Sequence, residues 1–377
     1  MGVGLYLQGR SETTDWVKQL REQMAGLTHP AAEGIAVSDE GVVSASTTPV
    51  GPGYHVAVCE ALDEASRTLA ITWDRPKADD DDDDDEVSGD ETGYFFDRDL
   101  AAVERHMLQW LRTVSSWVLE NNAADGIHIA LPLDHQYQMS GVLTPTGSRD
   151  AAWFRAVVED PRNGIDFFPW WTPGENAAAL LGRARCLMWT EMRWRIPVTD
   201  EEDDLESDII ELLEKAWKLD PTLAYPVREW ADLPGDIPDE VIAAAETATG
   251  PLVGYRRHPV RVRLAGGWSV EIPGEFSECW EETTWSAWYE GRTVWFDGYN
   301  RDGSADELVD AAPAEGEVLR RRDDNVVKKA YLTRGDDGFT LATRNAIDGK
   351  LCVSTIVYPD EDERDWAMHA WASFRCS

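Results

Sequence analysis

A folded form of this chain has to accommodate 36 more negative than positive charges, because 71 Asp and Glu stand against 35 Lys and Arg. Like charges repel in a compact state, so the acids must be spread over a solvated surface while enough apolar residues remain to build a core. That condition is met: 43% of the residues are hydrophobic and 10% aromatic, including 18 Trp, which places the chain among globular rather than disordered sequences. At 377 residues it is too long for one ordinary core, and two domains are expected. The most visible acidic segment is Asp79 to Asp85, yet removing the nine acids of residues 79–90 still leaves a formal charge of −27. The excess therefore belongs to the whole surface.

Such a surface repels phosphate backbones and anionic lipid headgroups, which argues against nucleic-acid and membrane partners and in favour of a basic protein partner. No stretch approaches the roughly 20 apolar residues of a membrane span. The start, MGVGLYLQGRSETTDW, has neither the basic nor the apolar region of a secretory signal, and Tyr6 stands where a myristoylation signal has Ser or Thr. Cys59, Cys186, Cys279, Cys352 and Cys376 are odd in number and scattered, without a CxxC pair. That pattern fits a reducing compartment rather than a disulfide framework or a zinc site, and the expected location is cytoplasmic.

Residues 3–8 read as a strand, and Thr14 to Ala25 as a helix with Trp16, Leu20 and Met24 at helical spacing. A hairpin turns at Asp39-Glu40-Gly41. A helix after Gly51-Pro52-Gly53 carries Val56, Cys59, Leu62 and Ala65 into the strand-like LAITW, and a disordered acidic loop is expected at about 78–92. The clearest helix is Asp99 to Asn121, where Leu100, Val103, Met107, Trp110, Leu111, Val114, Trp117 and Val118 form a stripe. GIHIALPL is strand-like, 148–160 reads as a short helix, and further helices are expected over Glu175–Arg193, Asp200–Lys218 and Pro238–Thr249. Beyond Gly250 the pattern becomes short strands with turns at Gly266-Gly267, Glu290-Gly291 and Asp348-Gly349, closed by a helix over Asp362–Phe374. The expected class is α+β in two domains: an α-rich α/β region, 1–250, and a smaller module of antiparallel sheet plus helix, 251–377.

The strand Trp268 to Pro273 ending in Ile-Pro, the consecutive antiparallel strands and the final Ala-Met-His-Ala-Trp-Ala-Ser-Phe together resemble the Mog1/PsbP-type α/β sandwich over about the last third of the chain. Members of that fold mostly bind partners, so the resemblance implies an interaction module. It transfers no site residues.

Several residue groups carry possible chemistry. The Asp run lacks the alternating ligands, Gly and Glu of a calcium loop and reads as a solvated, extended segment whose Asp81 and Asp83 would meet a basic partner. His55 and Cys59 share a helix face, as a Cys-His nucleophile pair would, but the stripe there is apolar and free Cys is commonly a core residue. His128 and Asp134, on one face of a strand end, are metal candidates, with His135 pointing away; polar residues of a surface loop explain them equally well. Phe167, Phe168, Trp170 and Trp171 around Pro169 would form a recognition wall or a buried plug between the domains. Arg257, Arg261 and Arg263 would share a strand face and, with Arg256, either cup an anion or meet acidic segments of the other domain. Arg320-Arg321-Arg322 with Lys328-Lys329 form a second basic cluster. No GxGxxG, GxxxxGK[ST], HExxH or GxSxG occurs, and no cofactor is indicated.

The leading expectation is a non-enzymatic interaction protein whose acidic face docks or neutralises a basic protein, as an immunity, defence or secretion-assembly component would. An enzyme with a site between the domains near His128, Asp134 and Trp170 is the second reading. Salt adaptation, which also favours acids and few Lys, is the third.

Overall fold

The 3.6-residue stripe beginning at Leu100 becomes a 21-residue helix, Leu100–Glu120, whose N-cap Asp99 accepts from the Ala102 N–H. Val103, Met107, Leu111 and Val118 are buried along it, whereas Trp117, at the margin of the stripe, is 51% exposed. The computed structural model describes residues 4–32, 34–75, 89–121, 125–131, 135–137, 141–311, 316–323, 325–336 and 338–377. Its fold is mixed α+β. Asp81, Asp83 and Asp134 lie outside the described residues. The expected acidic loop ends earlier than 92, because Gly89–Asp90 pairs with the first strand and Asp90 is buried.

The chain separates into two compact units. The first holds most of residues 1–254. In it the antiparallel strands Gly4–Arg10, Val42–Ser46 and Ile35–Val37 form a small sheet joined by Thr72–Trp73, all that forms of the strand expected at LAITW. A second sheet joins Asp125–His128, Gly141–Thr144 and Gly147–Arg149. The helices Trp16–Met24, Pro52–Thr68, Leu100–Glu120, Ala151–Glu159, Ala177–Thr190 and Asp200–Leu219 supply most of the rest. The helix expected over Pro238–Thr249 is shorter, Asp239–Ala245, and follows a five-residue helix, Val227–Ala231, that no periodicity announced.

The second unit comprises Tyr255–Ser377 together with the strand His135–Tyr137 and Arg193–Arg195. Its large sheet runs in the order Ser277–Glu281, Thr284–Tyr289, Arg292–Asn300, Lys350–Tyr358, Gly338–Ile347, Val326–Gly335 and Glu317–Asp323, with every neighbouring pair antiparallel. Glu290 and Gly291 both have positive φ, the requirement of the tight two-residue turn that keeps the flanking strands in register. A smaller sheet orders Arg375–Cys376, Trp268–Ile272, Val260–Arg263 and His135–Tyr137. The closing helix Arg364–Ser373 packs on Trp268–Ile272 and Lys350–Tyr358, and its buried Trp371 donates to Asn345. Ala305, Leu308 and Val309, from the helix Ala305–Asp310, cover Val327, Ala346 and Leu351 on the opposite face of the large sheet. Among the described residues no helix is long and apolar enough to cross a membrane.

Candidate functional site

Strand alternation in Ser277–Glu281 puts Glu278 and Trp280 on one face, and Trp280 sits opposite Trp285 of the next strand. In the small sheet His135 is the register partner of Val262. These residues, with Arg193, Arg256, Arg263 and Cys279, line a concavity of about 510 Å³. All of them belong to the second unit.

Its floor is a hydrogen-bonded lattice. His135 Nε2 meets Glu278 Oε1 at 3.0 Å and Oε2 at 3.1 Å, while Nδ1 meets the Tyr255 hydroxyl at 3.0 Å. The carboxylate only accepts, so Nε2–H donates to it, while the tyrosine hydroxyl can donate to Nδ1 or, when the ring is protonated, accept from Nδ1–H. Arg256 donates to Glu278 Oε1 at 3.0 Å and to the Gly274 carbonyl at 3.2 Å. Burial works to raise the Glu278 carboxyl, but the hydrogen bond and charge of His135 and the charge of Arg256 outweigh it and hold the group at about 2. Arg256 is likewise pressed down by burial and held above its ordinary range by Tyr255 and Glu278. Arg193 donates to the Phe276 carbonyl at 2.9 Å, and Arg195 clamps the same strand through the Glu275 carbonyl and Ser277 Oγ. These clamps are what attach residues 193–195 to the second unit. Arg263 is exposed and its guanidinium forms no hydrogen bond or ion pair among the described residues, and Trp280 is 48% exposed. The lining thus presents a cationic rim, the exposed indole of Trp280 over the buried Trp285, and a neutralised floor.

The other expected sites fare differently. Phe167 and Phe168 are buried, and Trp170 and Trp171 are half-buried. Phe167 packs edge-on to Trp110, and Trp170 is stitched to the Gly51-Pro52-Gly53 turn by Gly53 N–H to Trp170 O at 3.0 Å and Trp170 N–H to Val50 O at 2.9 Å. A Cβ on Gly53 would lie 2.2 Å from the Trp170 ring, and one on Gly182 would lie 1.9 Å from the Pro169 carbonyl oxygen. The segment is therefore a plug inside the first unit, with Phe167 and Phe168 closed to a partner.

His55, Cys59 and Asp90 come together in the buried interior of the first unit, their ligand-type atoms all within 4.8 Å of one another. Each is already committed. His55 Nδ1 meets Thr47 Oγ1 at 2.8 Å, and Nε2 meets Asp90 at 3.2 Å and Thr92 Oγ1 at 3.1 Å. Asp90 also accepts from Thr92 N–H, Thr92 Oγ1 and Phe95 N–H, each at 2.8 Å. Burial pushes the Cys59 thiol up, away from the thiolate a nucleophile or a metal ligand needs. With both imidazole nitrogens and the carboxylate spent, the cluster ties the strand at Asp90 to the helix at His55 and leaves no lone pair directed at an ion. His128 ends the strand Asp125–His128 in the first unit, and its metal partner Asp134 is outside the described residues.

Most members of the basic clusters form ion pairs within one unit. Arg257 is not on the strand with Arg261 and Arg263; it sits in a 3-10 turn with its guanidinium 3.6 Å from the Trp194 ring centroid. Arg261 meets Glu271 at 3.4 Å. Arg320 reaches Asp306 and Asp310, Arg322 reaches Asp306, and Lys329 reaches Asp310, all on or beside the helix Ala305–Asp310. Sequence reasoning found Arg256 and Arg263 but missed Glu278, Trp280 and Trp285. The usable signal was the alternation of SECWE, which places a lone acid and an indole on one strand face. No family model matches this sequence, and no curated protein matches it.

Proposed function

We propose that this chain is a binding protein whose second unit receives a carboxylate carried on an apolar or aromatic body. The observation that carries the reading is a local inversion of charge: in a chain of formal charge −36, the concavity is lined by Arg193, Arg256 and Arg263 against the single carboxylate of Glu278. A focused cationic recess draws anions that the remaining surface repels. Arg263 supplies an uncommitted fork for a charge-assisted bond, and Trp280 supplies a flat apolar wall backed by the buried Trp285. His135 favours binding over proton transfer, since both of its ring nitrogens are engaged. Isothermal titration with phenylacetate, acetate and phenethylamine tests this. Phenylacetate is expected to bind, acetate more weakly and the amine not at all, with Arg263→Met weakening phenylacetate about tenfold, the scale of one lost charge-assisted hydrogen bond. Equal binding of the amine, or an unchanged Arg263→Met, would sink the proposal.

A second reading, the docking of a basic protein partner, is favoured by one feature of the first unit. The helix Asp200–Leu219 exposes Asp200, Glu201, Asp203, Asp204, Asp208 and Glu211, and the segment before it exposes Ile196 (82%) and Val198 (50%). Acids beside apolar side chains complement a basic amphipathic helix. A Lys-rich amphipathic peptide is expected to shift the Ile196 and Val198 methyl resonances, and polylysine is not. Identical responses to both would leave only non-specific attraction.

A further inference from the structure

The first unit contains a second group of cationic donors that its own hydrogen bonds do not explain. In the helix Ala177–Thr190, Arg185 and Trp189 are four residues apart and so share a face. In the strand Gly147–Arg149, residues 147 and 149 share a face. The two elements meet: a Cβ on Gly147 would lie 3.0 Å from Trp189 Nε1, so only glycine admits the indole there. Arg149 and Arg185 are close enough for each charge to act on the other, which, after burial, helps to hold the Arg185 guanidinium below its ordinary range.

Three buried donors at this junction, Arg149 Nε, Arg185 Nε and Trp189 Nε1, have no acceptor. Trp189 is only 6% exposed, so bulk water does not reach its N–H freely. Arg149 is partly used: its Nη2 donates to Thr146 Oγ1 at 3.1 Å and to the Asp166 carbonyl at 3.2 Å, and pairs with the Asp166 carboxylate at 2.8 Å. Arg185 forms no hydrogen bond or ion pair among the described residues. Two carboxylates stand near. Asp166 is half-exposed and faces Arg149, and Glu229 is buried and accepts from the Val253 N–H at 2.7 Å. Each unpaired buried donor carries an uncompensated desolvation cost, and two adjacent guanidinium groups add repulsion. An acceptor with several oxygens entering the junction would satisfy these donors together.

We propose that Arg149, Arg185 and the Trp189 indole N–H form an oxyanion site that takes inorganic phosphate or the phosphate group of a small ligand. The Arg185 guanidinium, the Nε–H of Arg149 and one indole N–H approach from the helix and from the strand, which suits an acceptor with oxygens in several directions better than a planar carboxylate. The site lies in the first unit, so it stands or falls separately from the carboxylate pocket.

The test uses the full chain in phosphate-free buffer at constant ionic strength. Indole N–H resonances are recorded by 15N–1H correlation, and the peak lost in Trp189→Phe identifies Trp189. Inorganic phosphate is expected to move that peak saturably, and Arg185→Met to raise the phosphate dissociation constant about tenfold or more. Should Arg185→Met not fold, Arg185→Lys keeps the charge but loses the fork, and it is expected to weaken phosphate several-fold. Arg263→Met is expected to leave the phosphate response intact. A Trp189 peak that ignores phosphate, or a response unchanged in both Arg185 variants, overturns the site and assigns the three donors to water.

Discussion

Replacing Glu278 by Gln tests the floor of the pocket most directly. Gln keeps the size of the side chain and a carbonyl oxygen for the His135 Nε2–H, but removes the charge opposite Arg256, whose side chain is only 6% exposed. The Glu278 carboxyl is held at about 2 against an ordinary 4.5. A difference of that size, at about 1.4 kcal/mol per unit, makes the folded carboxylate worth about 3 kcal/mol near neutral pH. Loss of one partner from a buried pair leads independently to about 3–5 kcal/mol. The folded state binds this proton less tightly than the unfolded chain, so the contribution is full above about 4.5 and disappears as pH falls through about 2. Urea unfolding of the parent and Glu278→Gln should therefore differ by about 3 kcal/mol at pH 7, with the gap closing between pH 4.5 and pH 2. Comparing the two proteins cancels the acid response of the many other carboxylates. A gap below about 1 kcal/mol at pH 7, or one that stays constant down to low pH, would show that His135 and Arg256 do not hold the carboxylate as described.

Asp90→Asn puts an amide donor where four donors converge, so unfolding free energy should fall by about 2–4 kcal/mol in urea melts; a loss within error would mean the His55 network is solvated. Gly182→Ala should lower stability by at least about 2 kcal/mol and weaken the near-UV circular dichroism of the packed aromatics, since the new methyl meets the Pro169 carbonyl; unchanged bands and stability would refute the close packing. Raising salt from about 0.01 to about 0.15 M should raise Tm, as the Debye length falls from about 30 to about 8 Å, and leave it flat beyond; a continued climb to molar salt would favour salt adaptation over partner docking.

What the sequence made legible depends on how local the determining interactions are. The helix Leu100–Glu120 was readable almost to its ends, because its stripe and its Asp99 cap act within a few residues. The hairpin at Glu290-Gly291 was readable because the turn residues carry the conformation. The strands Glu317–Asp323 and Val326–Gly335 were hidden. The first is an edge strand, exposed along most of its length, so EVLRRRD shows no alternation, and its arginines read as a charge cluster rather than as pairing partners for the helix Ala305–Asp310. The pocket was half-visible. Arg256 and Arg263 announced themselves by their charge, but His135 meets Tyr255 across 120 positions and Glu278 across 143, and no local pattern encodes contacts of that range.

The same separation explains why the acid excess turned out to be a poor guide to sites and an informative background for them. With 71 acids for 35 bases, a lysine or arginine in this chain has a carboxylate within easy reach, and most clusters behave accordingly: Arg320, Arg322 and Lys329 settle on Asp306 and Asp310, Arg261 on Glu271, and Arg256 on Glu278. Arg263 at the pocket rim and Arg185 of the helix Ala177–Thr190 do not. An unpaired guanidinium is ordinary on a basic protein, where acids are scarce. Here exposed arginines such as Arg112, Arg155 and Arg183 also lack an ion pair among the described residues and are simply solvated, whereas Arg185 keeps a buried Nε without an acceptor and Arg263 borders the pocket. The residues that resist the prevailing charge, rather than the acidic run that dominates the sequence, are therefore the ones at which a ligand is to be sought.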